Sequence, residues 1–123
     1  MSEIYWEELG IQGEISLTGF KNLTSVDVYE NAITSLDLSG CSKLEYLDCS
    51  SQVNDDQEKT LTSLKLTGCS ALTYLDCSDC ALTTLDISDC VLLNTESLES
   101  FSYDDGVEII TAKGELGGDD FDI

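Results

Sequence analysis

Apolar residues recur along this chain in one spelling, Φ-x-x-Φ-x-Φ, where Φ is an apolar position. Clear copies are Leu23-Val26-Val28, Ile33-Leu36-Leu38, Leu44-Leu47-Cys49, Leu61-Leu64-Leu66, Leu72-Leu75-Cys77 and Leu82-Leu85-Ile87. Weaker copies stand at Leu98-Phe101-Tyr103 and Val107-Ile110-Ala112, and Gln12-Ile15-Leu17 is a degenerate first one. The copies that start at 23, 33 and 44, and again at 61, 72 and 82, step by ten and eleven residues, a double period of 21. A fixed period of that size marks a repeat architecture.

Side-chain direction turns the spelling into structure. The fourth and sixth positions lie two apart, so both point to one face of an extended segment, and the residue between them points away. The intervening residues are Asp27, Asp37, Asp48, Lys65, Asp76 and Asp86, all charged, as a solvent face requires. A ten-residue unit is too short for a helix plus a strand. Each unit therefore predicts one short strand and one corner, and two units make one coil. Stacked coils place like above like, so each leucine column becomes a continuous core.

This reading expects strands near 24–28, 45–49, 73–77 and 99–103 on one face, and near 13–17, 34–38, 62–66, 83–87 and 108–112 on the other. The rhythm breaks twice, with 17 residues from Leu44 to Leu61 and 16 from Leu82 to Leu98, which predicts insertion loops at 53–59 and 92–97, the second with room for a helical turn. Residues 1–11, with Ile4, Tyr5, Trp6 and Leu9, are assigned to an N-terminal cap over repeats spanning 12–112. Residues 113–123 read as an acidic, loose tail, with Val107, Ile109, Ile110 and Phe121 available to cover the last coil.

The run Leu72-Thr-Tyr-Leu75-Asp-Cys77-Ser-Asp-Cys80-Ala-Leu82 resembles the leucine-rich-repeat segment L-x-x-L-x-C-x-x-N/C-x-L, and residues 23–33 match it with Asn31 in ninth position. The linking halves that end in Cys41 and Cys69 are similar to the 21-residue short repeats of bacterial leucine-rich-repeat proteins. The likeness covers about residues 12–112. It implies a mainly β, arc-shaped leucine-rich-repeat solenoid of about four to five coils, with short strands on both faces of each coil and little helix. It also implies a concave sheet that binds proteins or glycans, without naming a partner.

Charge narrows the function classes. The 123 residues carry 25 Asp and Glu against five Lys, with no Arg and no His, for a formal net charge of −20. Bare nucleic acid and anionic membranes need a basic patch that this chain lacks. Without His or Arg, the commonest general base, transition-metal ligand and phosphate clamp are missing too. The expectation is a protein that is not an enzyme and needs no cofactor. The start, MSEIYWEELG, carries acids where a secretion signal carries cations. As given, the chain is expected to be cytoplasmic, or secreted or surface-bound if it is a fragment of a larger protein.

Six cysteines fit the same pattern. Cys49 and Cys77 fall on the sixth position, Cys80 on the ninth, and Cys41, Cys69 and Cys90 on the equivalent ninth position of the other half. These places want a small buried residue, so buried reduced thiols are expected. The Cys77-Ser-Asp-Cys80 spelling also admits zinc or redox chemistry, and stacked coils bring like residues within bridging range, although parallel stacking aims both Cβ atoms the same way. Asp55-Asp56, Asp104-Asp105 and Asp119-Asp120 offer oxygen ligands without the alternating spacing of a calcium loop, so no metal site is expected.

The exposed positions of the first face are Thr24, Ser25, Asp27, Glu45, Tyr46, Asp48, Thr73, Tyr74, Asp76, Glu99, Ser100 and Ser102. The candidate partner-binding set drawn from them and from the corners that follow is Asp27, Tyr29, Glu30, Glu45, Tyr46, Asp48, Tyr74, Asp76, Asp79, Glu99, Asp104 and Asp105. Tyrosines embedded in charge of one sign suit a basic protein or peptide, because aromatic rings anchor and charges steer. An alternative is an acidic inhibitor of a nucleic-acid-processing enzyme, of the toxin-immunity or phage-antagonist kind. A third is a structural fragment of a larger adhesin-like array. A monomer is favoured, because a charge of −20 resists close approach of copies.

Overall fold

A computed structural model describes residues 2–97, 99–112 and 114–116. Leu98, Phe121, the Asp119-Asp120 pair and most of the expected tail lie outside the described residues. Among the described residues the regular structure is entirely strand. The elements are β1 Glu3–Tyr5, β2 Gln12–Ser16, β3 Ser25–Asp27, β4 Ala32–Asp37, β5 Tyr46–Asp48, β6 Ser63–Lys65, β7 Tyr74–Asp76, β8 Thr84–Asp86, β9 Phe101–Ser102, β10 Glu108–Thr111 and β11 Gly114–Leu116.

Odd-numbered strands β1 to β9 form one five-stranded sheet in the order β1-β3-β5-β7-β9, hence five coils. The return halves form two three-stranded sheets, β2-β4-β6 and β8-β10-β11. Except between β6 and β8, neighbouring strands of successive coils pair in parallel, and among the described strands only the terminal pair β10–β11 is antiparallel. The chain is thus a mainly β solenoid.

The leucine-rich-repeat likeness is overturned by this layout. That family sets one concave sheet against a helical convex side, whereas here both half-coils are strands, the described residues contain no helix, and three sheets result. The shared letters explain the false likeness. L-x-x-L-x-L specifies only which way the side chains of one extended segment point. It carries no information about the return half, and ten residues leave no length for a helix there.

Register makes the core. Ile4, Val26, Leu47, Leu75 and Phe101 align through β1, β3, β5, β7 and β9, all buried. Ile15, Leu36 and Leu64 align on the return side, as do Leu85 and Ile109. The nine expected strands all occur, each overlapping its predicted range. One repeat copy was misread: Ile109 is in register with Leu85 and wholly buried, whereas Ile110 aligns with the outward Asp86. The inward pair of that copy is therefore Val107 and Ile109, and a one-residue slip would have turned the wrong side chains inward.

Residues assigned to the cap supply the first strand. Ile4 is buried and Trp6 packs on the core, while Tyr5 and Leu9 are exposed. Residues 53–59 close as a tight loop through a single antiparallel Val53–Lys59 bridge, with the Asn54 side-chain oxygen accepting the N–H groups of Asp56 and Glu58. Residues 92–97 form turns, and Leu93 is buried beside exposed Leu92.

The corners after the five-stranded sheet repeat in detail. Glu8, Glu30, Ser51 and Asp79 all adopt positive φ, between 55° and 58°, three residues after β1, β3, β5 and β7. After Glu30, Ser51 and Asp79, the next residue is a buried hydrogen-bonding group that ties coil to coil. Asn31 Oδ1 accepts the Leu9 and Ile11 N–H groups, each at 3.0 Å, while its Nδ2 donates to the carbonyls of Trp6 at 2.6 Å and Val28 at 2.8 Å. Gln52 accepts from Ile33 N–H and donates to Val28 and Ser50 carbonyls. Cys80 donates its thiol to the Cys49 and Ser78 carbonyls.

Candidate functional site

The five-stranded sheet presents its outward side chains in two rows. The first runs Glu3, Ser25, Tyr46, Tyr74 in strand register, with Ser100 next to Tyr74, since the Leu75 N–H donates to the Ser100 carbonyl. The second runs Tyr5, Asp27, Asp48, Asp76, Ser102. Neither row contains a cation. Tyr46 and Tyr74 stack face to face, with ring centroids 4.6 Å apart and planes 6° from parallel. Parallel strands set like residues about 4.8 Å apart, so identical aromatic residues in register stack without adjustment.

The aspartate row has a local cause. One oxygen of Asp27 accepts the Tyr29 N–H, one of Asp48 accepts Ser50 N–H and Oγ–H, and one of Asp76 accepts Ser78 N–H and Oγ–H. On the return side Asp37 and Asp86 accept the N–H groups of Ser39 and Ser88 in the same way. Asp two residues before the corner therefore folds the corner as an Asx turn, wherever the repeat places it. On the first sheet the same aspartates also fall side by side.

Two of these aspartates are shifted upward, chiefly by burial. Burial, then the adjacent Glu7 carboxylate, pushes Asp27 up to about 6. Burial raises Asp48 against the opposing pull of its Ser50 bonds, and Asp76 and Asp27 raise it further. Burial and then the nearby aspartate charges push the Tyr46 hydroxyl up to about 12 and raise that of Tyr74. Both phenols are neutral donors at physiological pH.

The remaining candidates divide into two groups. Glu45 and Glu99 are exposed one step before the tyrosine row. Tyr29, Glu30, Asp79, Asp104 and Asp105 lie round the corner, where the Glu30 charge raises the Tyr29 hydroxyl. Asp104 serves the fold: its two oxygens accept the Asp79 and Cys80 N–H groups at 2.8 and 3.0 Å. Lys59, from the inserted loop, reaches both Asp79 and Asp104 at 3.7 Å. Sequence reasoning missed this contact, because nothing in the period says where an insertion folds back. It also left Ser25 and Ser100 out of the partner-binding set, although they hold the tyrosine position of neighbouring coils.

All six cysteines are free and buried. Cys41 and Cys69 donate to the Leu17 and Leu38 carbonyls of the preceding coil. Burial pushes Cys69, Cys80 and Cys90 up to about 12, and raises Cys41, Cys49 and Cys77 as well. Among the described residues no three Asp, Glu or Cys side chains gather as a metal-binding group, and no helix is long and apolar enough to cross a membrane.

Fold and surface together define a β-solenoid whose surface is capable of protein interaction. No protein-family model, curated protein or solved structure matches the chain.

Proposed function

We propose that this chain is a non-catalytic binding module that takes a basic protein or peptide on the outer face of its five-stranded sheet. The supporting observation is the Tyr46–Tyr74 stack, set in register beside Asp48 and Asp76 on a face without a cation. Paired rings supply rigid, amphipathic contact area at small entropic cost, the usual property of interface anchors. The carboxylates attract an oppositely charged partner from a distance and fix its orientation. Five strands span only about 20 Å, so an interface of about 800 Å² per partner would also enlist the acidic corner at Glu30 and Asp79.

The test is binding of a labelled basic peptide, followed by fluorescence anisotropy at several salt concentrations. The double variant Tyr46→Ala/Tyr74→Ala should bind at least tenfold more weakly, corresponding to about 1.4 kcal/mol. Added salt should slow association more than it speeds dissociation. Unchanged affinity in the double variant discards the sheet face as the binding surface.

A further inference from the structure

The tyrosine stack has two outer ring faces, and the one toward β3 has only a small residue beside it in register. On the β3 side the residue in register with Tyr46 is Ser25, whose single-carbon side chain cannot cover a six-membered ring. Beyond Ser25 in the same row stands Glu3 on the edge strand β1. Asp27 and Asp48 stand two residues along from Ser25 and Tyr46, on the same side of the sheet. The register thus frames a slot with the Tyr46 ring on one side, Ser25 beside it, Glu3 beyond in the same row, and Asp27 and Asp48 in the neighbouring row.

We propose that this slot receives an arginine side chain of the partner, its guanidinium stacked flat on the outer face of Tyr46 and hydrogen-bonded to Asp27 and Asp48. The inference rests on the binding role given to the sheet face and narrows its partner from basic to arginine-bearing. Charge complementarity selects a cation, since the two rows hold Glu3, Asp27, Asp48 and Asp76 and no positive group. Shape selects among cations. A guanidinium is planar, stacks on aromatic faces and offers a fork of donors, whereas an ammonium is compact and strongly hydrated. A row of adjacent carboxylates beside a flat wall suits the fork. Asp48 already commits one oxygen to Ser50, which fixes the carboxylate before the partner arrives.

The test uses the full chain and two labelled nine-residue peptides of equal charge, one carrying four arginines and the other four lysines on a Gly-Ser background. Binding is read by fluorescence anisotropy at low salt. The arginine peptide should bind about tenfold more tightly. Ser25→Leu fills the slot on a solvent-facing position, and it should reduce the preference to about unity while the lysine peptide binds as before. Ser25→Gln fills the same space with a polar side chain and serves if the leucine variant melts early by circular dichroism. Equal binding of both peptides, weakened alike by Tyr46→Ala/Tyr74→Ala, would overturn the slot and leave the sheet-face reading standing. Binding of neither peptide, or binding indifferent to the two tyrosines, overturns both.

Discussion

Asn31 offers the sharpest test of how the coils are joined. It is 3% exposed and makes four strong bonds, two accepted from the Leu9 and Ile11 N–H groups and two donated to the Trp6 and Val28 carbonyls. Asn31→Ala removes all four together and leaves backbone groups of the first corner unpaired. An abandoned buried polar group costs about 1–3 kcal/mol. The Leu9 and Ile11 bonds are only partly buried, so water can restore some of them, and the expected net loss is about 2–4 kcal/mol.

Trp6 is the chain's one tryptophan and lies in the segment that Asn31 holds, so its fluorescence reports the affected coil directly. At about 1–3 kcal/mol per molar urea, the midpoint should fall by at least about 0.7 M. Because a solenoid is held by nearest-neighbour contacts, the Trp6 signal in the variant should change at lower urea than the far-ultraviolet circular dichroism. Asn31→Asp, which keeps the acceptors but turns a second oxygen toward two carbonyls, should lose at least as much at neutral pH. A loss under about 0.5 kcal/mol for Asn31→Ala, with coincident transitions, would refute the view that this amide clamps the first coil to the second.

Three further outcomes follow from the same structure. Leu47→Ala or Leu75→Ala, each emptying a fully buried place in the central column, should cost about 2–5 kcal/mol, measured by urea unfolding; an unchanged midpoint would mean the column is not the core. Asp27, raised from 3.8 to about 6 in the folded chain, holds more protons folded than unfolded, so its penalty at neutral pH is relieved as pH falls through about 6 toward 4, and Asp48 acts in the same direction. Asp37 and Asp86 are lowered, and their stabilisation is lost only below about 4, so the melting temperature should rise from pH 7 to 5, by less in Asp27→Asn; a fall over that range contradicts the assignment. The six buried thiols should react slowly with a thiol reagent in the native state and all become available on denaturation, whereas rapid native labelling of several would place them outside the core.

Side-chain parity carried most of the fold into the sequence. Leu47 and Cys49 share a direction, Asp48 opposes them, and that alternation locates β5 without any other knowledge. The same parity failed at Val107-Ile110-Ala112, where two adjacent isoleucines let the wrong one fill the pattern. The arrangement of sheets was not legible, because the return side divides between β6 and β8, where the 21-residue period is intact, while the pairs that span the insertions, β4–β6 and β8–β10, keep their ladders. Gln52 was hidden for a related reason. It stands four residues after Asp48, as Asn31 follows Asp27 and Cys80 follows Asp76, but three different side chains perform the one task. The tyrosine stack was foreseeable from shared repeat position, whereas the aspartates' turn-forming duty emerged only once Asp37 and Asp86 were seen doing the same on the opposite side.

The return side is divided between β6 and β8, while the five-stranded sheet runs past that point without interruption. Across the division the backbone is joined by the Ala81 N–H on the Leu61 carbonyl and by the Gly68 N–H on the Asp89 side chain, a sparser stitching than a strand ladder. A molecule built this way has a spine and a seam. Bending that opens the sheet face stretches an unbroken ladder and meets stiff resistance, whereas bending that opens the back loads a few isolated bonds. Flexure should therefore concentrate at one place, splaying or drawing together the tyrosine and aspartate rows as the rear gap gives.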